Sequence, residues 1–313
     1  MKSRTQSQLP LIDLTDKNLK LGSNNWISTC QVMRSAFEDH GGFMAQYDKV
    51  DSKTNNSMYS AIQQFFDLSV ETKQRKTTEK PIFSYSGQHP QIPLFESLGV
   101  CNPLSIDECK KFTNIMWPQG NDHFCGSVNS YAKQLVELDH IVKAMIFDSY
   151  GLERKKLVTL LESTDYVVRG YKYRTPKEGE SNLGVAPHAD VSFLTILNQK
   201  VEGLEVKLKN GEWCEVGASP SLFLVIAGDA LTVWSNDRIP ACAHRVFINS
   251  KIERYSTGLL SYAGKIMEPQ EELVDEEEHP LRYKPFDHYG YLRFFLTEEA
   301  LKCDSRIKTY CGI

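Results

Sequence analysis

The chain has no C-x-x-C pair, although eight cysteines stand at 30, 101, 109, 125, 214, 242, 303 and 311. That spacing is the usual mark of a structural zinc site, so none is expected. Any run of about 18 apolar residues is also missing. So is the apolar core of a secretory leader in "MKSRTQSQLPLIDLTD". These absences predict a protein with no membrane partner, in the cytoplasm, with its cysteines as free thiols. There is no long basic run and the net charge is −4, which argues against nucleic acid as a partner. The acidic run over 268–278 reads as a solvated face or loop.

What is present is an ordinary globular composition, 41% hydrophobic and 24% charged, sufficient for a real core. Apolar spacings predict helices over 25–39, 56–69 and 127–151, with Gly151 at a helix end. "LPLIDL" and "FMAQYD" read as strands, 71–81 as a charged connector, and 82–100 as an ordered aromatic loop with a strand or two. From 165 the texture changes to short β-rich runs, among them "SFLTILNQ", "SLFLVIAGDALTVWS" and "HRVFIN". "KNGEW" predicts a type I′ hairpin turn on Asn210–Gly211. A last helix is expected over 289–302. This order predicts a mixed α and β fold, a jelly-roll double sheet backed by helices. Residues 1–155 would form the N-terminal helical and strand region, and 156–313 the jelly-roll core with its C-terminal helix.

The chemistry-bearing stretch is "VAPHAD". His188 and Asp190 are two apart, so in an extended chain both face one side. His244, in "ACAHRVFI", starts another β-rich run and can supply a third ligand. Two imidazoles and one carboxylate form the set that holds non-haem Fe(II) and leaves positions open for a cosubstrate and O2. The remaining histidines lack such company. Ten residues after His244, "RYS" puts Arg254 and Ser256 on one strand face. A guanidinium fork with a hydroxyl beside it is a receptor for a carboxylate.

With H-x-D, a distant His and R-x-S in this order, the chain resembles the plant-type 2-oxoglutarate/Fe(II)-dependent dioxygenases. "LPLIDL", "FEDHGGFMAQ", "FFDLSVETKQR", "EGLEV", "AGDALTVWSNDR" and "AHRV" follow that family's order along nearly the whole chain. "PLFESLGV" and "ELVDEEEHPLRYKPFDHYGYL" are most similar to the branch of the glucosinolate side-chain dioxygenases. The resemblance implies a double-stranded β-helix and Fe(II) on His188, Asp190 and His244. It also implies 2-oxoglutarate anchored by Arg254, Ser256 and Tyr173. Where the family writes N-Y-Y-P this chain has Tyr171, Lys172, Tyr173 and Arg174, and Asp237 stands where Gly is usual.

The implied reaction uses O2 to oxidise a C–H bond of a small specialised metabolite or hormone, releasing succinate and CO2. Hydroxylation, desaturation and dealkylation are all open outcomes; the carboxylate of Asp190 argues against halogenation. Ascorbate is expected as a supporting reductant, and the protein as a monomer. The family places the substrate pocket under the loop 82–96 and the C-terminal helix, with Phe83, Tyr85, Phe95, Phe193, Phe294 and Phe295 as lining and Gly87–Gln88 nearby. Two rival readings stand beside this one: an Fe(II) oxidase that uses no 2-oxoglutarate, and an inactive protein that only binds a small molecule.

Overall fold

Alternating apolar residues from 164 onward build strands that bury both faces, one against helices and the other against a second sheet. A computed structural model describes residues 8–80 and 83–313. Its strands are β1 (Leu11–Asp13), β2 (Gly42–Gln46), β3 (Ser86–Gly87), β4 (Phe95–Cys101), β5 (Thr164–Tyr173), β6 (Leu183–His188) and β7 (Leu194–Gln199). They continue with β8 (Leu204–Lys207), β9 (Trp213–Glu215), β10 (Leu222–Ala227), β11 (His244–Phe247), β12 (Arg254–Ala263), β13 (Ile266–Met267) and β14 (Phe286–Asp287). The helices are α1 (Asn24–His40), α2 (Ser52–Phe66), α3 (Val70–Lys73), α4 (Ile106–Met116) and α5 (Asp122–Ser149). Five shorter ones follow: α6 (Arg154–Glu162), α7 (Asp229–Trp234), α8 (His288–Phe295), α9 (Glu298–Leu301) and α10 (Arg306–Cys311).

Eight strands form one sheet in the order β1-β2-β10-β7-β12-β5-β4-β3, and four form a second in the order β6-β11-β8-β9. The fold is a jelly roll, with the cavity between its two sheets. Helices α2 and α5 cover the outer face of the large sheet, where Ile62 packs at Gly170 and Tyr131 bonds Thr257 Oγ1 at 2.7 Å. Strands from the first 101 residues belong to the same sheet as β5, β7, β10 and β12, so both halves of the chain share one core.

Helix ends follow local chemistry. Ser23, Asp51 and Asn121 each accept a backbone N–H three residues on, which starts α1, α2 and α5. Those caps move the starts of α2 and α5 several residues earlier than the apolar spacing alone predicts. The connector over 71–81 contains part of α3. Helix α4, not expected from the sequence, buries Cys109, Phe112, Thr113 and Met116 at helical spacing. In "AGDALTVWS" the expected strand stops at Ala227 and α7 follows. The reason is Gly228, where a Cβ would lie 2.1 Å from the Ser192 carbonyl oxygen. The chain turns there to pack on the loop after His188. The C-terminal helix is split, because Thr297 caps a new turn at Ala300 N–H. The "KNGEW" turn is not type I′: Gly211 has φ 84° but Asn210 has no positive φ. Leu208 accepts from Gly211 and donates to Glu212, as in a hairpin turn with one left-handed residue. All eight cysteines are free thiols. The acidic run is largely exposed apart from Pro269 and Leu273.

Asp237 has φ 67°, a backbone conformation that favours glycine and that Asp tolerates better than most residues. Its carboxylate accepts from Tyr283 Oη and pairs with Arg282 at 3.2 Å and Lys308 at 3.3 Å. The side chain thus replaces conformational ease with a tie to the C-terminal segment.

A buried ion pair inside α5 fixes that helix. Lys143 Nζ lies 2.8 Å from Asp139 Oδ2, both at most 1% exposed, and Tyr166 Oη donates to the same carboxylate at 2.7 Å. Lys143→Met alone strands a buried carboxylate and should cost about 3–5 kcal/mol in urea unfolding, whereas a double apolar replacement should cost far less. Equal losses in the single and double variants would contradict this reading.

Candidate active site

The hydrogen-bond register places the two imidazoles. His244 opens β11 directly opposite His188, the last residue of β6. The two rings are 4.2 Å apart between centroids. Asp190 is not on the same strand as His188. It lies just beyond β6, where the chain leaves the small sheet for β7. Asp190 Oδ1 is 3.9 Å from Nε2 of both histidines. One ligand atom from each residue lies within 4.8 Å of the others. That spacing lets a single ion reach all three with small side-chain adjustments at bond lengths of about 2.0–2.2 Å.

The donor chemistry fits a divalent metal. His188 Nδ1 faces the Ala186 carbonyl at 2.9 Å, and His244 Nδ1 faces the Cys242 carbonyl at 3.1 Å. A carbonyl only accepts, so each Nδ1 carries the proton and each Nε2 offers a lone pair. Burial, then the neighbouring His244, pushes His188 down to about 4. Burial pushes the Asp190 carboxyl up, but the two imidazoles and the Thr195 hydroxyl outweigh it and the net shift is downward. The trio thus aims two imidazole Nε2 atoms and one carboxylate oxygen at a common point.

Three residues that the sequence reading missed hold this arrangement. Thr195 Oγ1 donates to Asp190 Oδ2 at 2.6 Å, leaving Oδ1 toward the histidines. Asp229 N–H donates to the Asp190 carbonyl at 2.8 Å. Burial raises the Asp229 carboxyl to about 7, and Tyr291 Oη of α8 donates to it at 2.6 Å. Fully buried His288 accepts from Ala263 N–H at 3.0 Å, so its Nε2 carries the proton and donates to the Val191 carbonyl at 2.6 Å. It staples α8 to the loop that carries Asp190.

Burial lowers His288 to about 4 from an ordinary 6.5. The unfolded chain thus binds this proton more readily than the native one. The stability from His288 is complete above pH 6.5 and is lost as pH falls through 6.5 toward 4. About 2 kcal/mol should be gone by pH 5. Urea midpoints at pH 7.5 and 5 measure it, and His288→Gln should flatten the difference.

The second cluster lies at one end of the same cavity. Arg254 is 1% exposed. Its Nη1 donates to Ser256 Oγ at 3.2 Å, Nη2 to Gln199 Oε1 at 2.6 Å and Nε to the Val201 carbonyl at 3.2 Å. All three partners are neutral, and among the described residues no carboxylate pairs with it. Burial opposes this cation, and an uncompensated buried charge is costly. Tyr173 faces Arg254 across the β5–β12 ladder, its ring 5.0 Å from the guanidinium carbon. Burial lifts its hydroxyl to about 12 despite the opposing Arg254 charge. This is the cradle that a carboxylate would complete. Gln199 has no sequence signal, since only the β7–β12 register brings it to Ser256.

The cavity has a volume of about 630 Å³ and contains both clusters in its wall. Of the expected pocket aromatics, Tyr85, Phe95 and Phe295 line it. Phe83, Phe193 and Phe294 do not. Phe83 is buried on the Tyr262 ring at 4.7 Å, Phe193 turns outward against Trp234 at 5.8 Å, and Phe294 packs on Tyr310 at 5.2 Å. Gly87 lines the cavity, whereas Gln88, with φ 61°, does not. Tyr171, where the resembling family has Asn, also lines the cavity.

Residues 164–260 match the model of the 2OG-Fe(II) oxygenase superfamily, and 9–94 match that of the non-haem dioxygenase in morphine synthesis N-terminal region. The chain is 38% identical to "Probable 2-oxoglutarate-dependent dioxygenase AOP1" of Arabidopsis thaliana, over 97% of this chain and 96% of that one. It is 30% identical to the 2-oxoglutarate-dependent dioxygenase AOP3 of the same plant, over 98% of both. The crystal structure of the rice dioxygenase for auxin oxidation superposes with a TM-score of 0.82 at 26% identity, over 98% of this chain and 100% of that one. The Arabidopsis dioxygenase for auxin oxidation 1, in complex with 2-oxoglutarate, superposes with a TM-score of 0.77 at 27% identity, over 87% and 100%. Full-length identity at this level, on this fold, makes the chain a member of the 2-oxoglutarate–Fe(II) oxygenase superfamily and an oxidoreductase of the 2-oxoglutarate-dependent dioxygenase class.

Proposed function

We propose that His188, Asp190 and His244 hold Fe(II) and that Arg254, Ser256 and Tyr173 hold the far carboxylate of 2-oxoglutarate. The substrate is a small specialised metabolite or hormone. The observation that carries this reading is one cavity that gathers a His–Asp–His trio with metal-ligand spacing and a buried guanidinium that pairs with no carboxylate among the described residues. Bound Fe(II), with 2-oxoglutarate and O2, supplies the power to oxidise a C–H bond while succinate and CO2 leave.

The chain's own residues orient and enclose. Thr195 fixes the carboxylate face of Asp190, and the two Nδ1–carbonyl bonds fix the imidazoles. Arg254 sets the register of the cosubstrate. Tyr85, Phe95 and Phe295 give the remaining volume an aromatic wall that excludes water. The AOP relatives and the auxin-oxidation dioxygenases support a small organic substrate. The protein works as a cytoplasmic monomer without nucleic acid or membrane, with ascorbate keeping the iron reduced. Among the described residues no helix is long and apolar enough to cross a membrane. The test is an O2-dependent screen of metabolites on Fe(II)-loaded protein, with succinate as readout. Product formed without succinate would overturn the reading.

A further inference from the structure

Strand β7 ends at Gln199, which the β7–β12 register sets opposite Ser256. That strand end is pinned by its neighbour. Asn198 donates through Nδ2 to the Ser219 carbonyl at 3.0 Å and the Leu222 carbonyl at 2.9 Å, and its Oδ1 accepts from Tyr59 Oη at 3.0 Å. Gln199 itself is 4% exposed and lines the cavity. Its Nε2 donates to the Val216 carbonyl at 2.5 Å, and its Oε1 accepts from Arg254 Nη2 at 2.6 Å. A carbonyl only accepts, so the amide has one workable orientation, nitrogen on Val216 and oxygen on Arg254. Ser256 Oγ and the Val201 carbonyl take Nη1 and Nε of the same guanidinium.

We infer that Gln199 is a positioning residue for the cosubstrate, acting through Arg254. Its amide aims the guanidinium without neutralising it, so the positive charge is kept for the far carboxylate of 2-oxoglutarate. This rests on the Fe(II)/2-oxoglutarate reading above. Two observations carry it. The first is the direction of the fork. Arg254 gives one N–H from each of its three nitrogens to a different oxygen, so the plane of the guanidinium is set before any cosubstrate arrives. Among those partners Ser256 offers a short hydroxyl and Val201 a backbone carbonyl. Gln199 is the long side chain, and its bond to Val216 removes its freedom. The second observation is charge. A glutamate has nearly the shape of glutamine and would pair with a buried arginine directly, yet all three partners here are neutral. A carboxylate at this point would cancel the charge inside the protein and leave the cosubstrate to compete for it. It would also face the Val216 carbonyl oxygen against oxygen. The amide satisfies both neighbours and leaves the charge available.

The test compares 2-oxoglutarate with 2-oxopentanoate, which has the same chain but no far carboxylate. Binding to the Fe(II)-loaded full chain is followed without O2 by the charge-transfer band of the Fe(II)–2-oxo acid chelate and by the shift of the unfolding midpoint. The wild type should bind 2-oxoglutarate about 100-fold more tightly than 2-oxopentanoate. Gln199→Glu keeps the shape and the acceptor but neutralises Arg254. It should collapse that preference to below about fivefold and abolish the stabilisation by 2-oxoglutarate. Gln199→Met removes the acceptor and leaves the charge. It should weaken 2-oxoglutarate about tenfold and retain a preference of at least about tenfold. A merely structural Gln199 predicts the reverse order, because glutamate keeps a bond to Arg254 that methionine loses. Ser256→Asp brings a carboxylate to Nη1 with Gln199 in place, and the same collapse is expected there should Gln199→Glu fail to fold. An unchanged preference in the acidic variants, or weaker 2-oxoglutarate binding in Gln199→Met than in Gln199→Glu, would overturn the inference and leave the 2-oxoglutarate reading intact. No band in the wild type, or equal binding of the two acids by it, would overturn that reading and the inference with it.

Discussion

Replacing His188 by alanine should abolish succinate formation, by about three orders of magnitude or more, while leaving the fold in place. The loss is large because a metal with two protein ligands is neither held nor positioned, and a thousandfold corresponds to about 4 kcal/mol of barrier. The fold should survive because His188 ends an edge strand, and its side chain is 35% exposed. Stability near neutral pH should change little, because burial already holds His188 in its neutral form. The checks are bound iron per chain, the unfolding midpoint, and succinate release. Undiminished succinate release by this variant would remove His188 from the metal site.

Arg254→Met should raise the KM for 2-oxoglutarate about 100-fold, within the roughly 2–5 kcal/mol associated with truncating one partner of a buried charge pair. The stability of the protein without cosubstrate should change little. Removing an uncompensated cation offsets the loss of its bonds to Ser256, Gln199 and Val201. The sharper signature is linkage. At 100 times its Kd, 2-oxoglutarate should stabilise the wild type by about 2.7 kcal/mol, and this gain should vanish in Arg254→Met. A variant that kept the gain would place the cosubstrate elsewhere.

What the sequence made legible and what it concealed have physical reasons. Arg254 and Ser256 could be read because a strand repeats every two residues, and His188 and Asp190 because these residue types have few other uses so close together, although Asp190 lies beyond the end of β6. His244 was legible as the imidazole that opens the next suitable strand. Gln199 and Thr195 were not. Each acts through a register or a tertiary approach, Gln199 beside Ser256 and Thr195 onto Asp190. Phe83, Phe193 and Phe294 show the limit of composition. An aromatic side chain suits a core and a pocket equally, and only the direction of its strand or loop decides. The run "AGDALTVWS" is apolar enough for strand or helix. Its turn is dictated by the approach of Gly228 to the Ser192 and Asp190 carbonyls, which no local pattern records. Helix α4 has good periodicity in Cys109, Phe112 and Met116, but Asp107, Glu108, Lys110 and Lys111 beside them dilute the signal.

The central claim is that one cavity holds Fe(II) on His188, Asp190 and His244 and 2-oxoglutarate on Arg254. An anaerobic titration of the Fe(II)-loaded protein with 2-oxoglutarate tests it most directly, read by the visible charge-transfer absorption of an Fe(II)–2-oxo acid chelate. The account predicts a saturable band at one equivalent, absent in His188→Ala and shifted to about 100-fold higher 2-oxoglutarate in Arg254→Met. No band in the wild type, or an unchanged band in either variant, would contradict it.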